Sequence, residues 1–441
     1  MSLPFLRTTI PGPRSRALAQ QLHCYESRNI TLISDHWPIF WERAAGANVW
    51  DVDGNRYLDL TAAFGVANVG HSNPRVVAAI RSQAGRLIHA MGDVHPNALK
   101  LALARELVAL TFGRWCRPPV RNGRRVKSRS LQSDARVIFA NSGAEAVEAA
   151  LKTAAIHTGR PGVIAFDGAY HGLTYGALAA TARQHFRQPF EKQLGQFVSH
   201  IPFGQLPVGG IPRPRDRAVR SSRSGAPGGS TLPHPMEYYG AVLVEPIQGR
   251  AGIIVPPDAF LPGLRRYCNR QGLVLIFDEI YTGFCRTGRW FAAEHWDVVP
   301  DIICVGKGMA GGFPLAACVG RAAVMDSWPD SDGEAIHTST FLGNPLGCAA
   351  ALATIAEMQR LKLAERAATL GRQATQCLPA LRGRGLMLGW PAANPGKLCE
   401  QLLQRGILAL PEGDVLGLTP PLTITHSQLA LAIATLTELG R

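Results

Sequence analysis

Lys307 lies in a sequence context that suits covalent chemistry. It follows an apolar run that ends at Val305, and glycines flank it in Gly306-Lys307-Gly308. Glycines let a bulky ligand approach the backbone. An amine held against an apolar wall has a depressed pKa and can form a Schiff base with a carbonyl group. The alternative interpretation is a surface lysine in a glycine-rich loop.

Asp278 is the second residue whose position indicates chemistry. It ends the apolar run Leu273-Val274-Leu275-Ile276-Phe277. An ionised carboxylate at the end of such a run is costly unless it meets a cation. A protonated pyridine nitrogen would be a cation of this kind.

A third feature is the turn Asn141-Ser142-Gly143-Ala144-Glu145, which follows a short apolar run and precedes a helical pattern over residues 144–158. Free N–H groups and the positive end of the helix dipole make such a turn a binding site for phosphate. A strand-to-helix turn with glycine is also common where no phosphate binds. The helix is predicted to stop at Gly159, ahead of Pro161.

The elements that must position these residues alternate along the chain. Short β-branched runs and helical patterns follow one another between residues 136 and 320, which is typical of βαβ units in a parallel sheet. Ligands of such sheets bind beyond the carboxyl ends of the strands, so we expect Asn141, Glu245, Asp278 and Lys307 to converge there. From about 346 to 441, two long helical patterns enclose a short section ending in Pro420-Pro421, which predicts a compact α+β cap. The predicted strands are 136–140, 162–166, 241–245, 273–278 and 301–305.

Composition narrows the class of protein. A chain of 441 residues with 46% hydrophobic and 18% charged residues predicts a globular protein with one large domain and a smaller one. The nine cysteines are scattered without a Cys-x-x-Cys pair, which argues against disulfides and structural zinc and fits the cytoplasm. We expect neither a secretion signal nor a membrane span, because no apolar run is long enough for either.

The net charge of +14 raises the question of a nucleic-acid partner, because clustered Lys and Arg neutralise phosphates. The excess is concentrated in two stretches, 114–129 and 213–223, which are rich in arginine and in proline, glycine or serine. We interpret both as solvated surface insertions and expect no nucleic-acid partner.

Six motifs occur in one order along the chain, and a resemblance to a known family rests on them. They are Asn141-Ser142-Gly143-Ala144-Glu145-Ala146, Tyr170-His171-Gly172, Glu245-Pro246-Ile247-Gln248-Gly249, Asp278-Glu279-Ile280-Tyr281-Thr282-Gly283-Phe284, Lys307-Gly308 and Thr340-Phe341-Leu342-Gly343-Asn344-Pro345. With these motifs the chain resembles the class III aminotransferases, which are fold-type I pyridoxal-phosphate (PLP) enzymes. The resemblance extends from about Val49 to Leu422.

The resemblance implies an α/β fold with a mainly parallel seven-stranded sheet in a large domain, and a small α+β domain made from both chain ends. We place the small domain in residues 1–60 and 335–441, and the PLP-binding domain in residues 61–334. The family also implies a homodimer with its active site at the interface.

Carried over to matching positions, the resemblance implies a set of cofactor contacts. Lys307 would form the internal aldimine with pyridoxal 5'-phosphate and then move a proton between substrate and cofactor. Asp278 would pair with the pyridine nitrogen. Tyr281, where many members have glutamine, would donate to the phenolic oxygen. The other expected contacts are Tyr170 and Ile280 on the two ring faces, Ser142, Gly143 and Ala144 at the phosphate, Thr340 at the phosphate of the partner subunit, and Glu245 and His171, the latter interpreted as structural.

Two further departures from the family pattern bear on the substrate. Leu173 stands where acetylornithine-type members carry arginine, and Gly417 stands where members that use 2-oxoglutarate keep a carboxylate-binding arginine. Glu245 therefore lacks the arginine with which it pairs in members that switch between substrates. We expect pyruvate or an aldehyde to be a better acceptor than 2-oxoglutarate. Arg250 is the residue expected to take over if 2-oxoglutarate reacts well.

Asp93 suggests a donor class. It lies in a segment that aligns with the substrate entrance of the family, and a carboxylate there would favour donors with a second amino group. The alternative is a solvated turn or helix-capping residue near Pro96.

Two alternatives to transamination stay open. An aminomutase, racemase or decarboxylase on the same scaffold would share Lys307, Asp278 and the phosphate turn. The other is a non-catalytic binding protein that retains the scaffold.

Overall fold

The computed structural model describes residues 3–116, 134–207 and 235–439. The basic stretch 213–223 and residues 117–129 of the other basic stretch lie outside the described residues. The α-helices are α1 (Pro13–Tyr25), α2 (Ala62–Gly65), α3 (Pro74–Ala84), α4 (Ala98–Leu110), α5 (Phe112–Trp115), α6 (Gly143–Thr158), α7 (Tyr175–Ala180), α8 (Gln184–Arg187), α9 (Phe260–Gln271), α10 (Ala322–Met325), α11 (Pro345–Arg360), α12 (Leu363–Cys377), α13 (Pro395–Leu403) and α14 (His426–Leu439).

The strands are β1 (Trp41–Ala45), β2 (Asn48–Asp51), β3 (Arg56–Asp59), β4 (Ala135–Ala140), β5 (Gly162–Phe166), β6 (Val198–Ile201), β7 (Tyr239–Val244), β8 (Val274–Asp278), β9 (Ile302–Val305), β10 (Ala316–Arg321), β11 (Arg382–Arg384), β12 (Met387–Pro391), β13 (Ile407–Leu408), β14 (Leu410–Glu412) and β15 (Val415–Leu418). Short 3₁₀ turns cover Gln188–Gln193, Pro235–Tyr238, Ala292–His295 and Lys307–Ala310.

A seven-stranded sheet forms the centre of the fold, with the order β4-β10-β9-β8-β7-β5-β6. The five strands from β9 to β6 pair in parallel, and β10 runs antiparallel to both of its neighbours. Strands β5, β7 and β8 are buried along their whole length. This explains their unbroken apolar runs, because a parallel sheet is covered by helices on both faces.

Alternate side chains of these strands pack on opposite helical layers. Leu243 and Ile276 share a buried cluster with Val147 of α6. Val242 and Leu275 lie in a second cluster with residues of α9 such as Leu264. The two helices therefore hold the sheet between them and fix where its strands end.

The sequence predicted five strands of this sheet to within a few residues, and residues 162–166 match β5 at both ends. The helix predicted over 144–158 is α6, which begins one residue earlier. Two strands, β6 and β10, were not predicted. The C-terminal region differs more, because residues 378–425 hold α13 and five short strands rather than one short section.

Two smaller sheets lie outside the central one. In the sheet β1-β2-β3-β13, the N-terminal strand β3 pairs in parallel with β13 from the C-terminal part of the chain. The other sheet has the order β11-β12-β15-β14. Both chain ends thus contribute to one sheet, as the resemblance implied. Among the described residues, no helix has the length and apolar character needed to cross a bilayer.

Candidate active site

A cavity of about 340 Å³ opens at the carboxyl edge of the central sheet. Its volume lies within the range of roughly 300–1,000 Å³ that is usual for small-molecule sites. The cavity brings together residues that follow β5, β7, β8 and β9 and the first turn of α6. Its lining residues are Gly143, Ala144, Tyr170, His171, Gly172, Leu173, Glu245, Arg250, Asp278, Ile280, Tyr281 and Lys307.

Lys307 begins a 3₁₀ turn immediately after β9 and Gly306. Its φ of 41° lies in the left-handed region, which is strained for a residue with a side chain and is found most often at functional sites. The Nζ atom lies 4.4 Å from the centre of the Tyr281 ring. Removal from water lowers the pKa of Lys307, while the charges of Asp278 and Glu245 partly offset that effect. A lowered pKa raises the fraction of neutral amine that can attack a carbonyl group.

Asp278 is held from two sides at the end of β8. Its Oδ1 accepts the backbone N–H of Ile280 at 3.1 Å, and Nδ1 of His171 lies 2.7 Å from its Oδ2. His171 is buried, and its backbone N–H donates to the hydroxyl of Thr181 at 2.9 Å. The contact between His171 and Asp278 was not predicted from the sequence. The histidine orients the carboxylate that faces the cavity.

The first turn of α6 forms another wall of the cavity. Ser142 caps the helix, because its hydroxyl accepts the N–H of Glu145 at 3.3 Å. The N–H groups of Gly143 and Ala144 belong to the first turn, where a helix supplies no backbone acceptor. A Cβ at Gly143 would lie 2.9 Å from Cδ1 of Ile280, so a side chain at this position would force Ile280 to move. These N–H groups can bind an anion such as a phosphate.

Glu245 already has partners for both of its carboxylate oxygens. Oε1 accepts the N–H of Tyr170 at 3.0 Å, and Oε2 accepts the N–H of Gly249 at 3.0 Å. Burial raises the pKa of Glu245 to about 6. Glu245 lacks the arginine partner at position 417, as the sequence showed, but both of its carboxylate oxygens accept backbone hydrogen bonds.

Three other residues singled out from the sequence are Tyr281, Thr340 and Asn141. Tyr281 lines the cavity, and the other two do not. The hydroxyl of Tyr281 donates to Thr419 at 3.3 Å, while its ring faces Lys307. Thr340 is exposed, and Asn141 binds Glu145 and Ser339; neither Thr340 nor Asn141 is among the lining residues. An exposed Thr340 is compatible with the expected contact to a partner subunit.

Arg250 and Glu412 are two further residues of the site. From the sequence, Arg250 was expected to matter only if 2-oxoglutarate reacts well, and Glu412 was not singled out. Arg250 lines the inner cavity and also a second, outer cavity of about 830 Å³, which Glu412 lines too. The guanidinium of Arg250 lies 5.2 Å from the centre of the Tyr170 ring. Glu412 could have been found from the strand pattern of β14. Side chains alternate between the two faces of a strand, so Glu412 points to the same face as Leu410.

Gly417 is close to this pair. It lies opposite Leu410 in the hairpin, and a Cβ at Gly417 would lie 2.9 Å from Cγ of Glu412. The space beside position 417, where members that use 2-oxoglutarate were expected to keep an arginine, is therefore occupied by the side chain of Glu412.

Asp93 does not line the cavity of its own chain. Its carboxylate accepts the hydroxyl of Thr338 at 2.9 Å, and it is exposed. Among the described residues, no group of three or more His, Cys, Asp or Glu side chains is arranged to hold a metal ion.

Glu279 supports the turn that follows Asp278. It is completely buried and accepts the N–H groups of Ala292 at 2.8 Å and Ala293 at 2.7 Å, while Thr282 donates its hydroxyl. Burial raises the pKa of Glu279 from its ordinary value of 4.5 to about 7. The folded state therefore binds more protons than the unfolded state between these two pH values.

This difference predicts a pH-dependent stability. Stability contributed by Glu279 is fully present below pH 4.5 and falls as the pH rises through 7, because the ionised form must then be buried. We expect the melting temperature of the wild type, minus that of Glu279→Gln, to decrease between these pH values and to level off above them. Thermal unfolding at a series of pH values measures the difference. A difference that is independent of pH would contradict the assigned shift.

The residues of the cavity fit pyridoxal phosphate. The buried carboxylate of Asp278 would face the ring nitrogen, Gly143 and Ala144 would hold the phosphate, and Tyr170 and Ile280 flank the space between. Lys307 supplies an amine for the aldehyde. The ring nitrogen, the ring faces, the phosphate and the aldehyde of the cofactor thus have complementary groups in one cavity.

Comparisons with known proteins agree with this geometry. Residues 32–439 match the family described as aminotransferase class-III. The chain is 36% identical to acetylornithine aminotransferase of Methanopyrus kandleri, with 91% of this chain and 94% of the relative covered. It is 37% identical to putrescine aminotransferase of Pectobacterium atrosepticum, with 91% and 82% covered.

A solved structure gives the same result. The ornithine aminotransferase from Toxoplasma gondii superposes with a TM-score of 0.78 at 29% identity, covering 99% of this chain and 97% of that one. The match spans the central sheet, the smaller sheets and the cavity. The chain therefore belongs to the class III aminotransferases, which are enzymes that depend on pyridoxal 5'-phosphate.

Proposed function

We propose that this enzyme moves an amino group in two steps, from an amine or amino-acid donor to the cofactor and then to a keto acid or aldehyde, with pyruvate favoured over 2-oxoglutarate. The observation that carries the proposal is the meeting of Lys307, Asp278 and the first turn of α6 in one cavity. When bound, the cofactor supplies an electron sink that stabilises negative charge on the substrate carbon.

The residues of the chain have distinct tasks in this proposal. Lys307 would hold the cofactor through its amine and would act as the base that moves a proton at the substrate carbon. Asp278, oriented by His171, holds the ring nitrogen in its protonated form. Gly143 and Ala144 bind the phosphate through N–H groups, with Ser142 capping their helix.

A donor-only experiment tests the proposed reaction against its rivals. With an amine donor and no acceptor, a transaminase converts its cofactor once to the aminated form, which absorbs differently, and releases one keto product per site. A racemase or aminomutase returns its cofactor unchanged, and a decarboxylase releases carbon dioxide. Absence of the aminated cofactor with every donor of a broad amine panel would overturn the proposal.

The acceptor preference follows from the charges around the cavity. Among the described residues that line it, Arg250 is the one arginine, Leu173 is apolar, and no arginine stands at Gly417. One arginine can anchor one carboxylate, and a missing bidentate contact to a second costs about 1.5–3 kcal/mol.

We therefore expect kcat/KM for pyruvate to exceed that for 2-oxoglutarate by roughly 10- to 150-fold, since each 1.4 kcal/mol is a factor of ten. Steady-state rates with one donor and each acceptor measure the ratio. Equal efficiency would mean that a second arginine reaches the cavity. The residue to substitute next is then Arg183, whose pKa is lowered by burial and by the charge of Arg250.

The assembly and location are part of the same proposal. Exposed apolar side chains at Ile88, Met91, Val94 and Phe341 lie near Thr340, and the rings of His89 and Phe341 are 5.3 Å apart. This patch supports a homodimer in which Thr340 reaches the phosphate of the partner subunit, and sedimentation equilibrium tests it.

All nine cysteines are free, which supports a cytoplasmic location. Localisation of a tagged chain would test that location.

The pairing of β3 with β13 supports a small domain made from residues 1–60 and 335–441 around a large domain at 61–334. Limited proteolysis near these boundaries would test that division.

A further inference from the structure

Arg250 and Glu412 form a charge pair that is left incompletely bonded. Nε of Arg250 lies 4.0 Å from Oε2 of Glu412, and neither atom has a hydrogen-bond partner among the described residues. A charge-assisted hydrogen bond is about 2.7–2.9 Å long, so this pair is loose. The exposure of Glu412 is only 2%, and a buried carboxylate oxygen without a donor is costly. Both groups therefore retain capacity to bind a ligand.

The pair lies beside the cavity that holds Lys307. Arg250 lines both cavities and Glu412 lines the outer one. The charge of Glu412 also acts to raise the pKa of Lys307 and the pKa of Tyr281. The centre of the Tyr281 ring lies 4.4 Å from Nζ of Lys307. Because Arg250 lines the cavity that holds Lys307, a substrate bound there can extend toward this pair.

The other carboxylates of the cavity have no comparable capacity. Both oxygens of Glu245 accept backbone N–H groups, and those of Asp278 contact His171 and the N–H of Ile280. Glu412 is thus the carboxylate best able to accept a new donor, such as a substrate ammonium group. Arg250 has the matching role for a carboxylate, because its guanidinium lines the inner cavity.

A ping-pong enzyme must bind donor and acceptor in turn in the same cavity, and a diamine donor and a keto-acid acceptor carry opposite charges. Building on the proposed transaminase function, we propose that Arg250 and Glu412 form an exchangeable pair that serves both half-reactions. Glu412 binds the distal ammonium group of a diamine or basic amino-acid donor. Arg250 binds the carboxylate of the keto-acid acceptor. The loose contact lets each partner leave the other at small cost.

Substitution of Glu412 should move the two half-reactions in opposite directions. In Glu412→Gln we expect kcat/KM for 1,4-diaminobutane relative to n-butylamine to fall at least about tenfold, because a charged hydrogen bond is lost. Arg250 is then no longer shared, so pyruvate should bind several-fold more tightly. In Arg250→Gln pyruvate binding should weaken about tenfold or more. A merely structural role for Glu412 would weaken both substrates together.

Binding without turnover provides an independent measurement. Propionate is a carboxylate that cannot accept an amino group, so calorimetric titration of the holoenzyme with propionate reports on Arg250 alone. We expect tighter binding in Glu412→Gln and weaker binding in Arg250→Gln. This titration remains informative even if no amine proves to be a donor. In that case the proposed function fails, but the proposed role of Arg250 and Glu412 in binding a carboxylate can still be supported. Arg250 is partly exposed, so its variants are suitable if Glu412→Gln does not fold.

Two control variants sharpen the test. Glu26 also lines the outer cavity, but its Oε2 already accepts the N–H of Thr31 at 3.1 Å, so Glu26→Gln should leave the diamine-to-monoamine ratio unchanged. Asp93→Asn tests the residue suggested by the sequence. The proposal is overturned if Glu412→Gln changes neither the ratio nor propionate binding, or if Asp93→Asn lowers the ratio and Glu412→Gln does not.

Discussion

Replacing Lys307 with alanine is expected to abolish covalent attachment of the cofactor and to lower turnover on the order of 10⁴-fold or more. The reason is that one amine performs two tasks, as the nucleophile that bonds to the cofactor and as the base that moves the proton, and each task is worth several orders of magnitude. Borohydride reduction followed by mass spectrometry measures the attachment without relying on activity. The wild type should gain the mass of one reduced cofactor on the peptide that contains Lys307.

Lys100 provides the matched control. It is also partly buried with a pKa lowered by burial, but its Nζ donates to the carbonyl of Gly92 and it does not line the cavity. Lys100→Ala should therefore keep the reducible attachment. Small amines added to Lys307→Ala should restore part of the turnover, because a free base can replace the missing one. A reducible adduct on another lysine of Lys307→Ala would remove Lys307 from its assigned role.

The central sheet could be predicted from the sequence where burial alone determines the pattern. Strands covered on both faces need apolar side chains at every position, so β5 and β8 stand out as unbroken runs. The bounds of α6 follow from local chemistry, because Ser142 caps its start and Gly159, with φ of 65°, ends it. In these elements local preference and tertiary structure agree.

Strand β10 could not be predicted in this way. Its sequence Ala-Ala-Cys-Val-Gly-Arg contains little that favours a strand on its own. It is formed because β4 and β9 offer hydrogen-bonding partners on both sides. Such a strand depends on contacts between residues distant in sequence, and these are not visible in a local pattern.

The same distinction explains the candidate site. Asp278, Glu245 and Lys307 follow strands of one parallel sheet, so topology alone predicts that they meet. The pair of Arg250 and Glu412 depends on how the hairpin β14–β15 packs beside the sheet, and the two residues are far apart in sequence. The contact of His171 with Asp278 likewise needs the exact path of the loop after β5.

The second large effect is expected for Asp278→Asn, which removes a charge and keeps the shape of the side chain. Asparagine can still accept the N–H of Ile280 and can donate to His171, so the variant should fold. What it loses is the negative charge that favours a protonated ring nitrogen, and a neutral ring withdraws electrons less well. Removing one preorganised electrostatic contact typically lowers kcat by about 10²–10³-fold.

We therefore expect Asp278→Asn to lose turnover by roughly that factor and to bind the cofactor more weakly. Asp301→Asn is the control: Asp301 precedes β9 at the opposite edge of the same sheet, where it binds Arg265 at 2.7 Å. Its loss should lower the melting temperature but leave cofactor affinity and the donor half-reaction rate near wild type. Stopped-flow absorbance with a saturating donor gives that rate, and equilibrium dialysis gives the affinity. If Asp278→Asn transfers amino groups at the wild-type rate, the ring nitrogen does not depend on this carboxylate, and the buried contact between His171 and Asp278 serves the fold alone.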